Sequence, residues 1–346
     1  MTTFGLFLNL GARLADDHAG VYRLALEQAD AAETLGYHDA WVTEHHFIPF
    51  GVCSNALTLA GFLLGRTRRL RVGTAVTLAP QYNALQLAEQ AAILDQASGG
   101  RFDFGIGRGG YAADFAAFGV DPARWDDEIG ETIQVCLDAW TRPSVEGRGR
   151  WHRFAPVALT PRPLSSPHPP LFAATATGAS LETAAAHGLP LLHYFATPPD
   201  ARVKVETAYA ELRGGPPASP HVHALIVVVT DDEAGDRERL REALTAAFID
   251  GDHPAVPQSQ GRRAHGDRAE LARAVAEAAI VGPPHAVAER LAAFRARTGA
   301  ERLLLYMEAI GDRGRTLRSI ERFHAEVRPR LEAGTPFGSE PATGAA

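Results

Sequence analysis

One acid and two imidazoles, Glu44-His45-His46, follow a short apolar run that ends at Val42. They stand at the end of a predicted buried strand over 39–44, where they could transfer protons or bind a metal ion. Such a cluster is typical of an α/β barrel active site. Because side chains alternate along a strand, we expect Glu44 and His46 on one face and His45 on the other. The cluster leaves three interpretations open: structural histidines, a metal site, and a proton-handling or hydrogen-bonding site for an organic cofactor.

Two other segments have the chemistry of an anion site. Gly107-Arg108-Gly109-Gly110 forms a glycine-rich loop after a predicted strand, and Arg108 offers a guanidinium fork for a phosphate. Thr177-Gly178-Ala179-Ser180 begins a helix after the predicted strand over 171–174, where free amides, two hydroxyls and the helix dipole favour an anion. A tight turn with a solvated arginine and ordinary capping by Thr177 are the alternatives. The glycine spacing does not match a dinucleotide-binding loop.

Aromatic residues end the predicted strand over 189–195. Tyr194 and Phe195 could form a wall for a flat ring, although core packing is the commoner role of such residues. Poor metal ligands stand at the ends of four other predicted strands: Asn9, Leu78, Arg108 and Thr175. The sequence therefore predicts no metal site at the strand ends. Walker, nucleophile-elbow, CxxC and HExxH motifs are absent from the sequence.

The composition predicts a soluble, cytoplasmic protein. The chain has 346 residues, and 46% of them are hydrophobic, which is enough for a large core. A net charge of −7 gives no basic surface for nucleic acid or for an anionic membrane. Two cysteines, Cys53 and Cys136, exclude a disulfide framework and fit a reducing compartment. We find neither a signal-peptide pattern nor an apolar run long enough to span a membrane.

Apolar runs alternate with amphipathic segments and predict eight strands, each followed by at least one helix. The predicted strands cover 4–9, 39–44, 69–78, 101–110 with its glycine-rich loop, 171–174, 189–195, 222–229 and 302–307. This order predicts the α/β class and a (β/α)8 TIM barrel. A single domain is expected over 1–331, with an insertion after helix four at about 141–169 and a mobile lid after strand seven at about 251–267. A disordered tail is expected over 332–346.

The motifs resemble those of the bacterial luciferase family of flavin-dependent monooxygenases, and most closely the luciferase α subunit. The likeness rests on Glu44-His45-His46-Phe47, on Gly100-Arg101-Phe102 and on Gly105-Ile106-Gly107-Arg108-Gly109. Tyr111 and Asp114-Phe115 also match the pattern of the luciferase α subunit. The resemblance covers nearly the whole chain up to residue 330, and the run from 41 to 119 is its most specific part.

The resemblance implies a role for each candidate residue. His45 would be the catalytic histidine in the reaction of reduced flavin with oxygen. Ala75 would lie beside the isoalloxazine ring, where this family often has a non-prolyl cis peptide. Arg108 and the hydroxyls of Thr177 and Ser180 would bind the FMN phosphate. The other expected cofactor-binding residues are Glu44, Tyr111, Gly178, Tyr194 and Phe195, and Glu44 would also fix the imidazole tautomer of His45.

The chain departs from the luciferase pattern at two positions. Gly107 stands where luciferase α has a cysteine beside the reactive carbon of the flavin, and Ala176 stands where it has an acid before the phosphate serine. The first change predicts a wider pocket and argues against light emission driven by an aldehyde. The second leaves the phosphate to Arg108 and to neutral groups.

The predicted function is that of a two-component monooxygenase. A separate NAD(P)H:flavin reductase would supply reduced FMN (FMNH2), which with O2 gives a C4a-peroxyflavin that oxygenates a small organic substrate. Hydroxylation, epoxidation and Baeyer–Villiger oxidation all fit. A widened pocket would fit an aromatic natural product, as in antibiotic biosynthesis. The alternatives are F420-dependent hydride transfer and flavin binding without turnover. We expect a homodimer formed through the predicted helices 54–64 and 84–97.

Overall fold

Strands and helices alternate along the chain in the order expected for an α/β barrel. The computed structural model describes residues 2–11, 17–48, 51–109, 112–175, 178–250 and 268–333. The strands are β1 Thr3–Leu8, β2 Asp39–Val42, β3 Arg71–Thr74, β4 Thr77–Leu78, β5 Phe102–Gly107, β6 Val145–Arg148, β7 Arg153–Val157, β8 Leu171–Ala174, β9 Leu192–His193, β10 Val222–Val229, β11 Ile280–Gly282 and β12 Arg302–Tyr306. The helices are α1 His18–Leu35, α2 Ala56–Arg66, α3 Ala84–Ser98, α4 Ala112–Ala117, α5 Arg124–Thr141, α6 Gly178–Ala186, α7 Pro199–Arg213, α8 Glu233–Asp250, α9 Arg268–Ala278, α10 Pro284–Thr298, α11 Arg313–Arg322 and α12 Arg328–Glu332.

Parallel pairing closes the main sheet into a barrel. The order β12–β1–β2–β3–β5–β8 forms one part of the ring, and β9–β10–β12 forms the other. A bridge between Ala173 and Leu191 joins the two parts. All eight residues of β10 are buried, because helices cover the outside of the barrel and side chains fill its inside. The predicted α/β class and barrel fold are confirmed.

Several predicted strands differ in their bounds from those of the structure. The predicted strand 69–78 is divided into β3 and β4 by Ala75 and Val76, whose peptide bond is cis. The predicted strand 39–44 ends at Val42, and the predicted strand 189–195 keeps only Leu192–His193. β11 was not predicted, because its three residues are too few to show a period of their own. It pairs with the last three residues of β10.

The segments outside the barrel core agree only in part with the expectation. β6 and β7 form a separate antiparallel sheet within the predicted insertion at 141–169. The short helix α4 precedes α5 and was not predicted. The predicted lid at 251–267 lies outside the described residues. Glu332, the first residue of the predicted tail, belongs to α12, and positions 334–346 also lie outside the described residues.

Buried charges fill the amino-terminal end of the barrel. Arg302 of β12 forms ion pairs with Asp39 of β2 and Asp103 of β5 across the interior. Its guanidinium also lies 5.2 Å from the ring of Trp41 and 4.9 Å from the ring of Phe172, which form the layer above. Buried charges need such partners to offset the loss of hydration. The layer of buried charges therefore fills the end of the barrel opposite to the one at which the candidate residues lie.

Within the described ranges, no helix is both long and apolar enough to cross a bilayer.

Candidate active site at the carboxyl ends of the strands

Successive strands place the predicted residues at one end of the barrel. His45 follows β2, Ala75 follows β3, Arg108 follows β5, Ser180 lies in α6 after β8, and Tyr194 follows β9. The N–H of Ala75 donates to the carbonyl of Val42 at 2.7 Å, and Gly107 is in register with both Leu78 and Ala174. Because the strands are parallel, all of these positions belong to the carboxyl-terminal face, where barrels form active sites.

His45 is held by the loop that follows it. Its backbone N–H donates to the carbonyl of Cys53 at 2.8 Å. The imidazole packs directly against Gly51, where an added Cβ would overlap the ring. Burial lowers the pKa of His45 to about 4, with a smaller contribution from the imidazole of His46. The ring is therefore neutral at neutral pH and can form hydrogen bonds without carrying a charge.

Glu44 is held by hydrogen bonds from neighbouring elements. Its carboxylate accepts hydrogen bonds from the N–H of Ala56 at 2.8 Å, the N–H of Leu78 at 3.2 Å and the hydroxyl of Tyr82 at 3.0 Å. Its imidazole neighbour is His46, whose Nε2 lies 3.7 Å from Oε1. Glu44 and His46 thus share one side, as the alternation predicts. These contacts make Glu44 a support that joins this loop to α2 and β4, and its expected action on the tautomer of His45 stays a prediction.

Asp114 of α4 is a titratable group that the sequence pattern did not single out as functional. It is buried, and it accepts a hydrogen bond from the side-chain amide of Gln81 at 3.3 Å. Burial raises the pKa of the Asp114 carboxyl to about 6, although Gln81 and His46 act in the opposite direction. Its place in the luciferase-like motif, next to Phe115, is the signal that could have identified it. A carboxyl that titrates near neutral pH is available for proton transfer.

Arg108 lies over the indole of Trp125. The guanidinium carbon is 4.4 Å from the ring centroid, and the indole N–H donates to the carbonyl of Gly109 at 3.1 Å. Trp125 therefore contacts both the arginine and the backbone of the glycine-rich loop. Sequence reasoning missed Trp125, because it lies in α5, 17 positions beyond Arg108 and outside every recognised motif. Tyr111 lies outside the described residues.

Hydroxyl groups stand at the amino end of α6. The Oγ atoms of Thr175 and Ser180 are 2.6 Å apart, and both residues are buried. Gly178 begins the helix with a φ of 63°, a conformation that side chains rarely adopt. The amino end of a helix attracts anions through its free N–H groups and its dipole. Thr177 lies outside the described residues, so this part of the predicted phosphate site is described only at Gly178 and Ser180.

Gly107 does not widen the pocket as predicted. A Cβ at this position would overlap Cγ2 of Val76 and would lie 3.4 Å from Cβ of Ala174. The space that a side chain would need is thus already filled by Val76. The prediction of a wider pocket is corrected for this reason. The cis peptide at Ala75–Val76 lies where the resemblance implied one.

Tyr194 and Phe195 form an aromatic wall at the barrel mouth. Their ring centroids are 4.2 Å apart, and Phe195 packs 6.0 Å from Phe7 of β1 and 5.1 Å from Tyr306 of β12. Tyr194 is 48% exposed, so its ring faces the solvent side of the wall. The wall thus has a packed base and an accessible edge, which suits a flat ring.

A buried arginine donates hydrogen bonds to the backbone of the segment that carries the aromatic wall. Arg202 of α7 donates to the carbonyls of Tyr194 at 3.0 Å, Thr197 at 2.8 Å and Ala224 at 2.9 Å. Burial lowers the pKa of Arg202 to about 10, so it stays protonated at neutral pH. Sequence reasoning missed Arg202, because an arginine on a predicted helix is usually solvated.

The described residues suit a flavin that carries a phosphate. The aromatic wall offers a surface for a ring system, the neutral imidazole of His45 offers a hydrogen bond, and Arg108 with the start of α6 offers an anion site. A model of the luciferase-like monooxygenase family matches residues 2–302. The chain belongs to this family. The predicted resemblance is thereby confirmed.

Curated relatives match this chain over about half of their own length. The alkanal monooxygenase alpha chain of the Kryptophanaron alfredi symbiont is 31% identical over 189 residues, which are 55% of this chain and 53% of the relative. The oxygenase component of the flavin-dependent trigonelline monooxygenase of Acinetobacter baylyi is 30% identical over 189 residues, or 54% and 52% of the two chains.

Solved structures match over nearly the whole chain. Monooxygenase RslO1 from Streptomyces bottropensis has a TM-score of 0.83 at 27% identity, with 94% of this chain and 99% of that one covered. The oxygenating constituent of 3,6-diketocamphane monooxygenase from Pseudomonas putida, a type II Baeyer–Villiger enzyme in complex with FMN, has a TM-score of 0.76 at 18% identity, covering 95% and 99%. An F420-dependent secondary alcohol dehydrogenase has a TM-score of 0.74 at 19% identity, covering 95% and 99%. The last two share the fold.

Proposed function

We propose that this luciferase-like monooxygenase is the oxygenase of a two-component system. It would take reduced FMN from a separate NAD(P)H:flavin reductase and use O2 to oxygenate a small organic substrate. The observation that carries the proposal is the grouping of a neutral imidazole, an anion site and an aromatic wall at one end of the barrel. The trigonelline monooxygenase relative, which is named as an oxygenase component, supports the two-component arrangement.

FMN is the proposed cofactor, and F420 is the alternative. FMN ends in a single phosphate, and Arg108 and the Thr175–Ser180 hydroxyl pair follow the adjacent strands β5 and β8, from which both would bind it. Similar folds occur with FMN in the diketocamphane enzyme and with F420 in the alcohol dehydrogenase, so the fold does not choose between them. When bound, reduced FMN would supply the chemistry with O2, and the residues of the chain would hold and orient it.

The chain's own residues would bind, orient and shield the cofactor. Arg108 and Ser180 would bind the phosphate, with Tyr111, Thr177 and Gly178 in the same region. Ala75, Tyr194 and Phe195 would line the ring system. His45 would form a hydrogen bond at the oxygen-bearing edge and, being neutral, could donate or accept a proton there. The packed base of the aromatic wall would exclude water from that edge.

The substrate class is proposed from the accessible aromatic edge of the site. The exposed ring of Tyr194 would contact an apolar or aromatic organic molecule, which the enzyme would hydroxylate, epoxidise or oxidise in the Baeyer–Villiger manner. A wider pocket at Gly107 no longer supports an especially bulky substrate, because Val76 fills that space. A place in antibiotic biosynthesis and a cytoplasmic location stay predictions.

A homodimer through α2 and α3 is also proposed. The Cβ position of Gly61 in α2 lies 3.1 Å from Leu94 in α3, so the two helices pack closely. Phe62 and Ile93 beside this contact are 59% and 50% exposed, which is unusual for such large apolar side chains. A second copy of the same surface would cover both.

Mixing the protein with chemically reduced FMN and air tests the proposed function. We expect an absorption spectrum of peroxyflavin that lasts longer than in free solution, and His45→Ala should shorten its lifetime. Rapid return to oxidised FMN with both proteins would contradict the proposal. Hydride transfer from reduced F420 to a carbonyl compound, without oxygen uptake, would favour the alternative cofactor.

A further inference from the structure

Two histidines and one glutamate meet between the barrel and α7. His193 ends β9, and its register partner in β10 is His223. Glu206 of α7 faces both imidazoles from outside the barrel. His193 directly precedes Tyr194 of the aromatic wall, and the cluster includes none of the four strand-end residues that the sequence analysis judged poor metal ligands.

The three side chains bring their donor atoms close together. Oε1 of Glu206 is 2.8 Å from Nε2 of His193 and 3.5 Å from Nε2 of His223, and all three atoms lie within 4.8 Å of one another. His193 and His223 are 4% and 1% exposed. Despite their closeness, neither Nε2 of His193 nor Oε1 of Glu206 has a hydrogen-bond partner of acceptable geometry among the described residues. Buried polar atoms without partners are uncommon and often mark the place of an ion or water.

Among the described residues, Glu206 forms no ion pair with an arginine or lysine, although its charge acts on Arg202 of the same helix. Within the described part of the chain, its neighbours at ion-pair distance are the two imidazoles. Arg202, one turn earlier in α7, directs its hydrogen bonds to backbone carbonyls instead. A largely buried carboxylate needs a cation nearby. A proton on one imidazole or a metal ion between the three donors would supply that charge.

We infer that His193, His223 and Glu206 form a site for a divalent transition-metal ion, with Zn²⁺ as the best fit. Two imidazoles and one carboxylate are a common protein ligand set for Zn²⁺. Metal–donor bonds of about 2 Å hold neighbouring donor atoms roughly 3–4 Å apart, close to the two distances measured here. The Glu206 side chain is 19% exposed, so water can reach the fourth position. The ion would link α7 to β9 and β10. It would thereby also stabilise the position of Arg202 and of the aromatic wall.

Metal content and affinity of the full-length, untagged protein test this inference. The protein is stripped with EDTA and titrated with Zn²⁺, and with Co²⁺ as a coloured probe of tetrahedral coordination. We expect about one Zn²⁺ per chain, a visible Co²⁺ absorption band and a higher thermal midpoint with Zn²⁺. Glu206→Gln keeps the size of the side chain and should weaken Zn²⁺ binding at least about tenfold.

Matched controls separate this site from other groups that bind metals. Glu211→Gln changes an exposed carboxylate on the same helix, and His285→Ala removes an exposed histidine. Both should leave Zn²⁺ affinity unchanged, while His223→Ala should lower it. If His223→Ala does not fold, Glu206→Gln still decides the matter. Less than about one tenth of an equivalent of bound Zn²⁺, or equal binding by wild type and Glu206→Gln, would overturn the inference.

Discussion

The guanidinium of Arg108 rests on the indole of Trp125, 4.4 Å from the ring centroid. The same indole holds the backbone of Gly109 through its N–H. One aromatic residue from α5 thus orients both the charge and the main chain of the loop proposed to bind phosphate. A contact of this kind prepares a binding site before the ligand arrives, which lowers the cost of ordering it.

Trp125→Ala should weaken FMN binding, because Arg108 would lose the surface that orients it. Cation–π contacts contribute about 0.5–2 kcal/mol, which corresponds to roughly 2- to 30-fold in affinity. Titration calorimetry with FMN measures the change. Trp151→Ala is the matched control, since Trp151 makes a similar 4.3 Å contact with Arg150 away from the site. Equal FMN affinity for wild type and Trp125→Ala would show that Arg108 does not depend on the indole.

Acid should destabilise the protein partly through His45. Its pKa is about 4 in the folded state, below the usual 6.5, so the unfolded chain binds more protons between these values. The contribution is fully present above pH 6.5 and is lost as the pH falls towards 4. Because His45 as a residue is only half-buried, we expect a loss of about 1–3 kcal/mol over this range.

Urea unfolding at several pH values between 6.5 and 4 measures this loss. His45→Gln should show a shallower fall in the free energy of unfolding than wild type. His285→Gln, at an exposed histidine, serves as the control and should follow wild type. Parallel curves for wild type and His45→Gln would mean that the imidazole is not protected from protons in the folded state.

Gly107→Ala should destabilise the barrel, because the new methyl group would overlap Val76. Overpacking of this kind costs about 1–3 kcal/mol. Val76→Ala would make room for the methyl group, so the double variant should lose less stability than the sum of the single changes. The free energies of unfolding of the four proteins in this cycle give the coupling directly. Strictly additive losses would show that Val76 does not occupy the space beside Gly107.

Phe62→Glu combined with Ile93→Glu should produce a monomer. The charges would stand on the exposed apolar surface of α2 and α3, where burial in a dimer would be unfavourable. Light scattering measures the mass of the particle. Leu212→Glu changes an equally exposed side chain on α7 and should leave the dimer intact. A wild-type protein that already has the mass of one chain would exclude the proposed dimer.

The barrel could be predicted because each strand is a short apolar run bounded by polar, glycine or proline residues. Local pattern did not reveal the break at Ala75 and Val76, since both residues fit a continuous strand. It also missed β11, whose existence depends on pairing with β10.

The site was predictable at the level of strand ends but not at the level of contacts. His45, Arg108 and Ser180 could be identified because polar residues follow apolar strands. The space beside Gly107 depends on Val76, 31 positions earlier, and the wall depends on Arg202 beneath it. The group of His193, Glu206 and His223 is assembled from three elements. These contacts between distant residues form only when the chain folds, and no spacing in the sequence predicts them.

The ion pairs of Arg302 with Asp39 and Asp103 give the barrel a floor. These buried charges leave the carboxyl-terminal end of the strands as the side from which cofactor and substrate would enter. A cofactor seated deeper in that mouth than the substrate would have to bind first and leave last. The architecture of the barrel would in that case set the order of binding.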